Sequence, residues 1–217
     1  MDKEIITFFN ENSEYLLIQF VDAHDIEVLE NEYRIIRESV SVPFSLVAVR
    51  VSSWNDELSP WAAPAVFGKQ DFGSGADETL RIFTEELLAK IRRDYGFGDD
   101  VRLIIGGYSL AALFALWCAY NSGLFYGVAA ASPSVWFNGW TDYARANAFK
   151  AKRVYLRLGN REEKTRNPLM ATVGDCIWQQ ARIFEEKGIP CTLEWNEGNH
   201  FRKPDLRTAK AFISLMK

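Results

Sequence analysis

Apolar and polar positions follow two rhythms along this chain, and the rhythms take turns. Short, nearly continuous apolar runs at 14–21, 44–51, 101–105, 126–130, 153–158 and 191–195 are bounded by Gly, Pro, Asn or charged residues. Runs of that length rich in β-branched and aromatic residues predict buried strands. Helical rhythm fills the gaps. Residues 77–93 place Leu80, Phe83, Leu87, Leu88 and Ile91 on one face, with Asp77 as the expected N-cap. A long apolar run of helix formers covers 111–120, and further helices fit 173–187, ended by Gly188-Ile-Pro, and 205–216. Residues 26–38 suit a short helix or a connecting segment, and 52 to about 75, with Asn, Ser and two prolines, reads as a loop. The alternation predicts an α/β domain over 1–217: a mostly parallel central sheet with helices on both faces. In such sheets, sites lie at the carboxyl ends of the strands.

One junction carries chemistry. The strand 101–105 runs into Gly106-Gly107-Tyr108-Ser109-Leu110-Ala111 and then into the apolar helix. A sharp strand-turn-helix connection holds a serine in a strained conformation with its hydroxyl exposed at the sheet edge. The turn presses together the residues two before and two after the serine, so both must be small; Gly107 and Ala111 stand there. Ser109 is therefore the expected nucleophile, and the N–H of Leu110 is an expected oxyanion donor.

A serine hydroxyl needs a base. The chain has two histidines. His200 follows the last strand on a glycine-containing loop ahead of the final helix, where the base of such a site belongs. His24, between Asp22-Ala23 and Asp25, reads as a surface or capping residue. An acid is expected in the loop after 153–158, where Glu162 and Glu163 both qualify by position and Glu162 is favoured. Asp175 and Asp205 fall within or at the start of helices and are poorer choices. The second oxyanion donor is expected just past 44–51, among Ser52, Ser53 and Trp54, with Ser53 taken as the choice. Trp54, Trp61, Trp136 and Trp140 lie in two loops at the same edge, and Trp54 and Trp136 are the expected walls of a shallow substrate pocket.

Composition narrows the function without adding to it. The formal net charge is −4 with 48% hydrophobic residues, which gives no basic footprint for nucleic acid. No apolar run approaches the ~18 residues of a membrane span. Met1-Asp-Lys-Glu lacks the basic-then-apolar order of a signal peptide, so the cytoplasm is the expected compartment. Cys118, Cys176 and Cys191 are widely spaced and suggest neither a disulfide framework nor a zinc site.

Taken in order, Gly107-Tyr-Ser-Leu-Ala111, Ala131-Ser-Pro-Ser-Val-Trp136, Gly159-Asn-Arg-Glu162 and Glu197-Gly-Asn-His200 make the chain resemble the esterase branch of the α/β-hydrolase fold. That branch includes siderophore esterases of the enterochelin type, esterase D and related carboxylesterases, and the resemblance runs from Phe44 onward. It implies a serine hydrolase cleaving a carboxylic ester through an acyl-serine, with a Ser109–His200–Glu162 triad and neither metal nor organic cofactor. Ala111 replaces the second glycine of the elbow, and no insertion is large enough for a lid. The expected partner is a small-molecule ester, with no nucleic acid or membrane, and a homodimer is compatible with the chain. Two other functions share these residues: an acyltransferase using the same acyl-serine, and a non-catalytic binding protein of the same fold.

Overall fold

In the computed structural model, which describes residues 3–216, the strands are β1 (Ile5–Phe8), β2 (Tyr15–Val21), β3 (Phe44–Arg50), β4 (Arg102–Tyr108), β5 (Phe125–Ala131), β6 (Arg153–Gly159) and β7 (Cys191–Asn196). They lie side by side in the order β1-β3-β2-β4-β5-β6-β7. All neighbours pair in parallel except β1, which runs antiparallel to β3. Parallel strands need crossovers, and the helices supply them. These are α1 (Ala23–Ser39), α2 (Trp54–Glu57), α3 (Ala76–Ile82), α4 (Leu88–Tyr95), α5 (Leu110–Asn121), α6 (Trp140–Ala146), α7 (Val173–Glu186) and α8 (Pro204–Leu215).

Period-two alternation sorts the strand side chains into two cores. Leu16, Ile18, Val47, Ile105 and Val128 face α5 together with α3, α4, α6 and α7. Leu17, Leu46, Ile104 and Ala129 face α1 and α8, meeting Leu29, Ile36, Phe212 and Leu215. Full burial of each large apolar side chain contributes roughly 1.5–3 kcal/mol, so the middle strands are the best-anchored part of the molecule. Every α5 residue from Leu110 to Tyr120 is buried, which explains a helix that is apolar all round. The fold is the mostly parallel α/β sheet expected, with no large lid.

Several elements depart from the sequence pattern. The 26–38 segment is a longer helix because Asp22 caps it, accepting from the amides of His24 and Asp25 while the Asp25 side chain reaches back to the Asp22 amide. Gly75, not Asp77, is the N-cap of α3, and a π turn at Phe83–Leu87 separates α3 from α4. Within the expected loop after β3 lie α2 and an antiparallel bridge between Ala63 and Phe72. Neither β1 nor α6 was expected. β1 has only half-buried residues and exists by pairing with β3. Among the described residues no helix is long and apolar enough to cross a membrane.

Candidate active site

The carboxyl edge gathers three loops onto one point. Ser109 follows β4 and precedes α5 with φ 58° and ψ −120°, a conformation that disfavours any residue with a side chain. Backbone bonds on both sides hold it there: its N–H donates to the Ala131 carbonyl at 3.1 Å, and its own carbonyl accepts from the Ser134 amide at 3.1 Å. The squeeze expected at this turn is present. A Cβ at Gly107 would sit 2.9 Å from the Cβ of Ala111, so glycine is required at one place and alanine is tolerated at the other.

His200, on the loop after β7, brings Nε2 to 3.0 Å from Ser109 Oγ and Nδ1 to 2.7 Å from Glu162 Oε2. Glu162 lies three residues beyond the end of β6, 7% exposed. Its other oxygen, Oε1, accepts from the Ser132 hydroxyl (2.7 Å), the Gly159 amide (2.7 Å) and Arg207 Nη1 (2.8 Å). Burial pushes the carboxyl pKa up, but hydrogen bonds and charge from His200, with the bonds from Ser132 and Gly159, outweigh it and hold the group below its ordinary value. The acid is thus ionised at neutral pH and keeps the imidazole proton on Nδ1, leaving Nε2 to accept from the serine.

The chain and its fold have relatives. The family model described as Putative esterase matches residues 10–203. The chain belongs to that family. It is an enzyme of the carboxylesterase type, acting on ester bonds. No curated protein matches it. Among solved structures it is similar to an IroE-like serine hydrolase from Shewanella oneidensis, with TM-score 0.80 at 13% identity over 98% of this chain and 75% of the other. It is also similar to the siderophore hydrolase EstA from Aspergillus nidulans, with TM-score 0.73 at 18% identity over 95% of this chain and 83% of that one. A third, an enterobactin and salmochelin hydrolase, IroE, gives TM-score 0.67 at 17% identity over 97% and 88%.

Other residues nominated from the esterase's sequence fall into three groups. Glu163 is exposed and lies against the α7 start, with Oε2 near Gly174, so it points away from His200. His24 is exposed in the first turn of α1. Leu110 opens α5, so its N–H has no acceptor one turn back.

Two nominations need correction. The Ser53 amide already donates to Glu57 Oε1 at 3.0 Å, as does that of Ser52 at 2.8 Å. A carboxylate seated on both N–H groups leaves neither for a substrate oxyanion. Trp136 is not an open wall: it is 7% exposed and packs against Phe72 and Phe137. Trp140 is core, its indole N–H donating to Gln180 at 2.8 Å, and Trp61 is tied by its own N–H to the Asn138 carbonyl at 2.8 Å. Trp54, half-buried, packs at the margin of the core.

Four residues at the site escaped sequence reasoning. Ser132, in the left-handed region at φ 47°, supports Glu162, and Ser134 Oγ lies 3.4 Å from Ser109 Oγ. Both stand in the Ser-Pro-Ser segment, which hinted at them. Tyr108 donates to the His200 carbonyl, and Arg207 comes from α8 on the opposite side of the sheet edge. Neither carries a local signal, since a Tyr before a turn and an Arg in a mixed helix are ordinary.

Proposed function

We propose that the chain is a serine carboxylesterase working on a soluble ester through an acyl-serine. The observation that supports this most directly is the unbroken relay from Glu162 Oε2 to His200 to Ser109 Oγ, with both links at 3.0 Å or shorter. In this reading His200 Nε2 takes the hydroxyl proton as Ser109 Oγ attacks the ester carbonyl carbon. Glu162 stabilises the imidazolium so formed. Negative charge collects on the carbonyl oxygen, and the Leu110 amide meets it. With Ser52 and Ser53 engaged by Glu57, the Trp54 amide is the second donor we assign. Each such donor lowers the barrier by about 3 kcal/mol. Collapse of the tetrahedral intermediate breaks the bond to the alcohol oxygen, which leaves with the proton from His200. Water then gives its proton to the same imidazole, attacks the acyl-serine and releases the acid.

Phe201, beside the imidazole at a ring distance of 5.5 Å and 86% exposed, offers an apolar shelf at the mouth of this site. EstA is named as a siderophore hydrolase and IroE as an enterobactin and salmochelin hydrolase, so a siderophore ester belongs beside simple esters in a substrate panel. The decisive test is Ser109→Ala on p-nitrophenyl acetate with fluorophosphonate labelling. Turnover is expected to fall at least ~10³-fold and labelling to vanish, with the melting curve unchanged. Undiminished turnover in that variant refutes the proposal.

A further inference from the structure

We infer that Arg207 is a positioning residue of this site: one buried guanidinium ties the carboxylate of Glu162 to the loop that carries His200, so the acid and the base are set by the same group. The inference rests on the triad reading above and adds to it a residue that touches neither substrate nor reacting atoms.

Arg207 is 3% exposed and sits in the first turns of α8. Its Nη1 donates to Glu162 Oε1 at 2.8 Å, to the Tyr108 hydroxyl at 2.9 Å and, longer, to Ser132 Oγ at 3.2 Å. Its Nη2 donates to the Asn199 carbonyl at 2.8 Å and to the Glu197 carbonyl at 3.4 Å. The Asn199 carbonyl belongs to the peptide immediately before His200. The His200 carbonyl, on the following peptide, accepts from the Tyr108 hydroxyl, and that hydroxyl is itself held by Arg207. Both peptides that bracket the base are therefore gripped, one directly and one through a tyrosine. At the other end of the fork, Arg207 helps saturate Oε1 and leaves Oε2 for the imidazole.

Arginine suits this task for a geometric reason. Its planar fork holds two nitrogens at fixed separation, one aimed at the carboxylate and one at the backbone, whereas lysine has a single nitrogen. Packing constrains the site further: a Cβ on Gly159 would lie 2.9 Å from both Arg207 Nη2 and Glu162 Oε1 and 2.4 Å from the Gly198 carbonyl. Only a residue without a side chain lets these three groups meet.

The test compares wild type, Arg207→Lys and Arg207→Met on p-nitrophenyl acetate, with fluorophosphonate titration counting competent sites and calorimetry reporting folding. Misplacing a catalytic group by about 1 Å lowers turnover roughly 100-fold. Both variants are expected to lose about 30- to 100-fold in kcat per competent site, with KM within about twofold. Should Arg207→Met fail to fold, Arg207→Lys decides. A folded lysine variant with kcat within twofold of wild type overturns the inference, and so does a loss wholly explained by fewer competent sites. Wild type that neither hydrolyses the ester nor takes the probe overturns the serine reading, and this inference with it.

Discussion

Glu162 and Glu163 are neighbours of identical chemistry with opposite fates. One is buried with both oxygens bonded, the other exposed against α7. Glu162→Gln keeps the shape but removes the charge that stabilises an imidazolium. It is expected to lower kcat by about 10²–10⁴-fold, while Glu163→Gln stays within twofold of wild type; equal activities in an ester assay would count against the assignment. Gly159→Ala is a second probe of the same geometry. The added methyl would meet backbone and two charged side chains at once, so a fall in kcat of at least ~10-fold is expected in the folded variant. Among the described residues, the non-glycine residues with positive φ are Ser109, Ser132 and Lys203. They are the proposed nucleophile, a support of Glu162, and the residue that turns the His200 loop into α8. Such backbone costs about 1–3 kcal/mol per residue, and here all of it is spent around the site.

Helix ends and strand ends, more than their middles, set where these residues stand. Ser109 is bolted to α5, whose first eleven residues are all buried, and Glu162 and His200 hang from the ends of β6 and β7. By contrast, α1 lies on the far face of the sheet from α5, and its Asp22 capping box bonds within the helix's own first turn. Asp22→Ala is expected to cost about 1 kcal/mol, a Tm drop of roughly 2–4 °C in calorimetry, with kcat unchanged. A parallel loss of turnover would show that α1 communicates with the site. The Ser52–Ser53 turn is an element of another kind. Glu57, which also pairs with Lys3, anchors its two amides, so Glu57→Gln tests whether the turn must be held for catalysis. A several-fold fall in kcat with little change in KM is expected, because one neutral oxygen holds two amides less firmly than a carboxylate.

At the scale of the whole molecule, the described residues hold one buried acid that the site does not use. Glu32 of α1 lies under α8 in a small cavity shared with Gln19, Asp25, Tyr108 and Asp205, and its Oε1 has no hydrogen-bond partner among the described residues. Burial, then repulsion from Asp25 and Asp205, raises its pKa well above the ordinary 4.5. The folded protein therefore keeps a proton there that the unfolded chain has released, and stability falls as pH rises above about 4.5. Asp25, raised to about 6 chiefly by burial and next by Asp22, adds to the same slope. Glu32→Gln removes the larger part of it. A Tm gain of roughly 3–6 °C is expected at pH 8, shrinking towards zero near pH 4; a gain independent of pH would contradict this account.

Much of this protein could be read in one dimension. The parallel strands and the crossovers between them follow from local periodicity, because a buried strand and a core-facing helix each leave a repeat in the chain. Ser109 and His200 were legible for a similar reason: a strained turn demands small flanking residues, and a lone late histidine has few other places to act. Position in the loop favoured Glu162 over Glu163 without deciding between them, while the engagement of the Ser53 amide, Trp136 as packing, and the reach of Arg207 were beyond local reading. Each depends on which side of a loop faces inward or on a partner 8 to 45 residues away, and no nearest-neighbour pattern encodes either. Short elements such as β1 and α6 belong with these, since they form only when a neighbouring surface is already there to bind them.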